Sequence, residues 1–208
     1  MEKKSLLNIS GNQIENVKEF KYLDNRILSA TGKFHELKNV LTDHRVSLST
    51  RRKLLESCIR TILTYCTEAE LPNAEELRKL ESCWFGIQRR MIRNGWKRKT
   101  DNDGQETFAL KYRNEDVQQI VGTSSLSDFI HIRYLKYIAH ICRRPNMNLT
   151  KQLLFINPTA KYIRDPWKKI SQLLNMDKDQ AIRYTRDRKA FAGLLQRNFV
   201  STRRSSPR

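Results

Sequence analysis

Apolar positions in the first 28 residues alternate loosely. Leu6, Ile9, Ile14, Val17, Tyr22, Ile27 and Leu28 lie around a turn signal at Ser10-Gly11-Asn12. A period near two on either side of such a turn predicts a β-hairpin, with a third strand available through Tyr22 to Leu28. Two strands alone are marginal in water, so this hairpin is expected to belong to a larger sheet.

After Gly32 the spacing becomes helical. Phe34, Leu37, Val40 and Leu41 predict one short helix. Ser47 or Ser49 can cap the next, whose stripe is Leu54, Leu55, Cys58, Ile59, Ile62 and Leu63 and whose outer face is left to Arg51, Arg52, Lys53 and Arg60. Pro72-Asn73 opens a third helix, with Asn73 as cap, Glu76 in its first turn, and Leu77, Leu80, Trp84, Ile87 and Met91 recurring every three or four residues. Gly95 is its expected stop.

Residues 97 to 113 combine a turn signal at Asp103-Gly104 with a short strand through Phe108, Leu110 and Tyr112. Helical spacing then returns over 115 to 121 and over 125 to 143, where Leu126, Phe129, Ile130, Tyr134, Tyr137, Ile138 and Ile141 lead to Pro145. Asp165-Pro166 sets a cap and a first-turn proline before Trp167, Ile170, Leu173 and Leu174. Two short helices follow, one around Ala181 and Ile182, the other through Phe191, Leu194, Leu195 and Phe199. The fold class is mainly α, divided into a hairpin (1–32), a helical bundle (33–100), a second helical region (101–199) and a basic tail (200–208) expected to be disordered. No internal repeat is present.

Charge changes this picture more than composition does. Hydrophobic residues at 38% and aromatics at 9% are enough for a folded core, although 30% of the chain is charged. Forty Lys and Arg against 22 Asp and Glu give +18. An excess of that size repels itself unless a polyanion compensates it, which makes nucleic acid the leading partner. A ribosomal or membrane-surface protein would carry the same total. The opening MEKKSLLNIS has no apolar core of signal-peptide length, and no window reaches about 18 apolar residues, so a soluble intracellular chain without a membrane partner is expected. Cys58, Cys66, Cys83 and Cys142 lack the close pairing of zinc or redox motifs and are expected to be buried reduced thiols.

The candidate chemistry is binding. Arg89, Arg90, Arg93, Lys97, Arg98 and Lys99, with Trp96 beside them, exceed what a helix C-terminus requires and suit phosphates and unpaired bases. Arg143 and Arg144 form a smaller cluster before Pro145. The close acidic pair, Asp101 and Asp103, lies in a polar turn with no strand to orient it, and His140 and Cys142, with Cys58 and Cys66, lack the converging spacing of a zinc site. No catalytic residue, metal site or cofactor is predicted in this chain.

In this order the parts resemble the carboxy-terminal portion of a LINE-type (non-LTR) retrotransposon reverse transcriptase. FKYLD at Phe20 to Asp24 is similar to that family's Phe-Lys-Tyr-Leu-Gly primer grip. LTYCTEAE at Leu63 to Glu70 is similar to its Leu-x-Tyr-Gly-x-Glu-x-Trp, and Arg89, Arg90, Met91, Arg93 and Trp96 match the helix that follows. SLSDFIHIRYLKYIAHICRRP resembles the downstream helix that ends in basic residues and proline. The likeness runs from about Leu6 to Arg144 and more loosely to Phe199.

The resemblance implies a terminal palm hairpin at 1–32, whose partner strands lie upstream of Met1, then a thumb-like bundle and a helical carboxy-terminal region. Lys21, Tyr22 and Leu23 would position a primer terminus. The implied partners are an RNA or RNA–DNA primer–template and the upstream palm of the parent polymerase, in a nuclear setting. The parent's Mg2+ is held by an Ala-x-Asp-Asp strand and an earlier aspartate, neither of which is in this chain. Asp24 replaces the grip's glycine, Cys66 a second glycine and Glu70 a tryptophan. Whether the chain is an enzyme fragment, a stand-alone basic nucleic-acid-binding protein or a non-functional open reading frame stays open on the residues alone.

Overall fold

Leu23, Ile27, Ala30, Phe34, Leu37 and Leu41 recur at alternating intervals of four and three, and they line one face of a 20-residue helix, α1 (Tyr22–Leu41). This corrects the expected third strand through Leu28 and the expected helix start after Gly32. Leu28 is 72% exposed because it lies off that stripe. Gly32 is exposed and does not break the helix; a Cβ there would meet nothing within 4 Å. The computed structural model describes residues 6–9, 12–15, 22–69, 71–92, 96–100, 106–155 and 166–199, and it is mainly helical.

Strands β1 (Leu6–Ile9) and β2 (Asn12–Glu15) pair antiparallel, Leu6 opposite Glu15 and Ile9 opposite Asn12. Among the described residues no further strand joins them. A hairpin that is the remnant of a palm sheet therefore has no support here.

Ser47 caps α2 (Leu48–Leu54) by accepting from the Thr50 amide at 3.1 Å. The rod continues as a π-helical stretch, Leu55–Arg60, and ends as α3 (Thr61–Leu63). Leu55, Ile59 and Leu63 are wholly buried along it, each contributing about 2 kcal/mol of apolar burial. Arg51 and Arg60 correct the expected outer face. Arg51 is 6% exposed and donates to the Leu41, Val46 and Met91 carbonyls. Arg60 bonds Glu56 at 3.0 Å and the Ser124 hydroxyl at 3.1 Å, with its guanidinium carbon 4.2 Å from the Phe129 ring centre. Burial lowers its pKa.

Helix α4 (Ala74–Met91) starts at a capping box: Asn73 accepts from the Glu75 and Glu76 amides, and the Glu76 carboxylate accepts from the Asn73 amide. That closure meets three amides that would otherwise be orphaned at the helix start. Strands β3 (Trp96–Thr100) and β4 (Glu106–Leu110) follow as a second antiparallel ribbon. Helix α5 (Asn114–Val121) ends at Gly122, whose φ of +75° suits glycine; a Cβ there would lie 2.6 Å from the Arg52 guanidinium that donates to the Gly122 carbonyl.

Ser125 caps α6 (Leu126–Cys142). A helix not anticipated by the pattern, α7 (Leu149–Phe155), precedes α8 (Pro166–Leu174), which has Pro166 buried at its first position. Asp177 caps α9 (Lys178–Arg186) and Asp187 caps α10 (Arg188–Phe199). Helix α1 packs on α4, α4 on α5 and α6, and α6 on α8, α9 and α10. One buried cluster extends from Ala30 on α1 to Leu195 on α10, so the change of pattern near residue 100 does not separate two cores. Among the described residues no helix is long and apolar enough to cross a membrane.

Candidate nucleic-acid interface

The basic run after Gln88 does not form one helix face. Arg89 is 5% exposed, and its guanidinium donates to the Tyr112 carbonyl and the Asn114 side-chain oxygen. Burial lowers its pKa, and the Phe85 ring centre lies 5.9 Å away. Arg89 thus ties α4 to the start of α5 and leaves the set available to phosphate. Arg90 points outward on α4, with its guanidinium 5.8 Å from the Phe34 ring centre. Arg93 lies outside the described residues.

Trp96, Lys97, Arg98 and Lys99 are on β3, beyond the expected helix stop at Gly95, so the basic cluster is shared between a helix and a strand. The strand register sets Trp96 opposite Leu110, Lys97 opposite Ala109, Arg98 opposite Phe108 and Lys99 opposite Thr107. Arg98 is exposed. A cation on α4 and another on β3 can contact phosphates on two elements, which a solvated single helix face would not do.

Beside Arg90, α1 and α4 leave a groove of about 390 Å³, lined by Ile27, Thr31, Lys79, Cys83, Gly86 and Arg90 among others. Its chemistry is passive. Burial raises the Cys83 thiol pKa, while the Thr31 hydroxyl, 3.9 Å from the sulfur, and Arg90 oppose the rise. A protonated thiol is a poor nucleophile.

At the end of α6, Arg143 donates to the Thr185 carbonyl at 2.8 Å, and Arg144 donates to the His140 ring at 3.3 Å. Both arginines are exposed, with side chains partly held by these bonds. Burial pushes the neighbouring Cys142 thiol up to about 11. The grip residues fall differently. Lys21 lies outside the described residues, Tyr22 opens α1, and Leu23 packs against the core. Tyr22 and Leu23 begin a helix where a hairpin was expected.

In the LTYCTEAE segment, Cys66 has φ +58°, the left-handed region that favours glycine. Its thiol is exposed, which corrects the expectation of burial. Two residues on, Glu68 pairs with Arg133 of α6 at 2.8 Å, and Arg133 also donates to the Thr64 hydroxyl at 3.3 Å. A non-glycine residue in that backbone region costs about 1–2 kcal/mol, offset in part by glycine's greater entropy when unfolded. Cys66→Gly is therefore expected to raise stability by about 1 kcal/mol, seen as a melting temperature roughly 2–4 °C higher. A lower one would mean that the exposed thiol makes a contact worth more than the strain.

Among the described residues no three His, Cys, Asp or Glu side chains are grouped to hold a metal ion. Asp101 and Asp103 lie outside them. Four cations outside the expected clusters, Arg183, Arg186, Arg188 and Lys189, are all exposed where α9 meets α10. The signal was the run RYTRDRK, five of whose seven residues are charged. No family model, curated protein or solved structure matches this chain.

Proposed function

We propose that this chain is the thumb and downstream helical portion of a LINE-type reverse transcriptase, which grips the backbone of an RNA or RNA–DNA primer–template in a nuclear setting. Polymerisation would belong to the parent enzyme, whose palm supplies the aspartates and their Mg2+. The observation that carries the reading is the left-handed backbone at Cys66. The motif it resembles has glycine at that position, and a positive φ is the physical reason for glycine there. Exposed Arg90 and Arg98 on neighbouring elements then serve as phosphate contacts.

One observation favours a second reading. Tyr22 and Leu23 open α1 instead of extending a sheet, which suits a stand-alone basic nucleic-acid-binding protein that has lost the palm. Both readings require binding, and titration of an RNA hairpin, an RNA–DNA hybrid and duplex DNA at several salt concentrations tests it. Contact with about six phosphates gives a log–log slope near −5, and Arg90→Ala with Arg98→Ala should reduce it by about 2. A response flat in salt would sink the proposal. Preference for the hybrid supports the polymerase thumb, and equal affinity for all three supports the stand-alone binder.

A further inference from the structure

The carboxy-terminal helices gather charge in a way that helix stability does not explain. Arg183 and Arg186 end α9, and the negative C-terminal end of its dipole accounts for them. Arg188 and Lys189 begin α10, where the dipole is positive and no acidic residue stands in the first turn. Their charge opposes that helix. Asp187, between the two helices, spends one carboxylate oxygen on the Lys189 and Ala190 amides.

The bond from Arg143 to the Thr185 carbonyl brings the end of α6, with Arg144 beside it, against the same corner. Six cations, Arg143, Arg144, Arg183, Arg186, Arg188 and Lys189, thereby lie on the elements that meet at this corner, and all six are exposed. Among the described residues none of the six has an ion pair with an acidic side chain. At a separation of 4 Å two like charges repel by about 1 kcal/mol in water and by about 4 kcal/mol near a protein surface. Repulsion among cations gathered on meeting elements favours an anion with several charges that spans them.

The aromatic residues decide which anion. Among the described residues Tyr184 is half-buried against the core, Phe191 is buried and the exposed His140 ring is held by Arg144, so the corner offers no row of free rings on which successive unpaired bases could stack. We infer that the α6 end and the α9–α10 corner form a second nucleic-acid contact, one that holds the phosphate backbone of a duplex without reading its sequence. The inference rests on the proposed nucleic-acid-binding function but on residues separate from Arg90 and Arg98.

The test uses the full chain with Arg183, Arg186, Arg188 and Lys189 all changed to glutamine, leaving Arg143 to hold Thr185. Blunt 20-bp duplexes of RNA and of DNA, an oligouridine strand and phosphatidylserine vesicles are the probes. The variant is expected to bind duplex at least tenfold more weakly at about 0.1 M salt, with a slope lower by about 3, whatever the duplex sequence. A charge-preserving variant, Arg183→Lys, Arg186→Lys and Arg188→Lys, should keep the wild-type slope, and thermal melting of both variants reads folding separately.

An unchanged affinity and slope in the glutamine variant, with Arg90→Ala and Arg98→Ala still weakening binding, would overturn the corner and leave the proposed function standing. Loss at the corner alone supports it and removes Arg90 and Arg98 instead. Binding that depends on the corner for vesicles but not for duplex, or for oligouridine but not duplex, overturns it. RNA and DNA duplexes held alike support backbone contact; RNA held more tightly supports it and adds recognition of A-form shape. A wild-type chain that binds no probe overturns both.

Discussion

Replacing Arg51 by methionine is expected to cost about 3 kcal/mol of folding stability and to lower the melting temperature by roughly 10 °C. The guanidinium is buried, and its Nη1 donates to the Leu41 carbonyl at 3.3 Å and the Met91 carbonyl at 3.1 Å, while Nε donates to Val46 at 3.1 Å. Leu41 and Met91 are the last residues of α1 and α4. Their carbonyls are negative ends of helix dipoles with no later turn to meet them, so one cation satisfies two helix termini at once. Methionine keeps much of the volume and removes every donor. Each carbonyl left without a partner in a buried site costs about 1–3 kcal/mol. Lysine should fall between, since one nitrogen cannot reproduce the planar fork. Chemical denaturation of the three forms checks the order; a methionine variant as stable as the wild type would mean that water replaces the guanidinium. Because Arg51 joins the ends of the two helices that wall the groove beside Arg90, its loss should also weaken the nucleic-acid binding proposed for Arg90.

Nothing in the local pattern distinguishes Arg51 from Arg52 and Lys53, its neighbours in the same run. Burial of Arg51 depends on where α1 and α4 end, and those ends come from distant segments. Arg89 was hidden for the same reason: its partners Tyr112 and Asn114 lie 23 and 25 residues away. By contrast, α4 was legible because its determinants are local. Asn73 and Glu76 close the capping box, and Leu80, Trp84, Ile87 and Met91 are all buried as their spacing requires.

The beginning of α1 is masked in the sequence because Tyr22 and Ile27 suit a strand, and Gly32 suggests the boundary at which helical spacing begins. The four-three rhythm from Leu23 to Leu41 carries more weight than either, since a helix with a buried stripe tolerates one exposed glycine at a cost of about 1 kcal/mol. At the candidate site, the basic residues could be found but not their grouping. A run along the chain becomes α4 and β3, whereas Arg143 and Arg186 become neighbours only because α6 meets α9.

The Glu68–Arg133 pair should show a measurable coupling between α6 and the turn after α3. Removing either side chain by alanine is expected to cost about 2 kcal/mol, and removing both about 3 kcal/mol, so that a double-mutant cycle gives about 1 kcal/mol of interaction. Both side chains are about a third exposed, at 30% and 33%, which screens the charges and keeps the coupling well below that of a buried pair. The single losses are larger than the coupling because each partner has a second role. Arg133 also donates to Thr64 and lies 5.8 Å from the Phe129 ring centre, which Arg60 approaches to 4.2 Å. Glu68 follows the left-handed turn at Cys66, so its position is set by that backbone. If the cycle gives no coupling, the pair is incidental and the turn is held by packing alone. If it gives the expected value, Cys66→Gly should leave the coupling intact while raising stability, because glycine favours the same φ. The turn and the ion pair together fix α3 against α6, and α6 carries Arg143 and Arg144 at its far end. Alanine at Glu68 should therefore also weaken the duplex binding proposed for the α9–α10 corner, by no more than a fewfold, through displacement of α6.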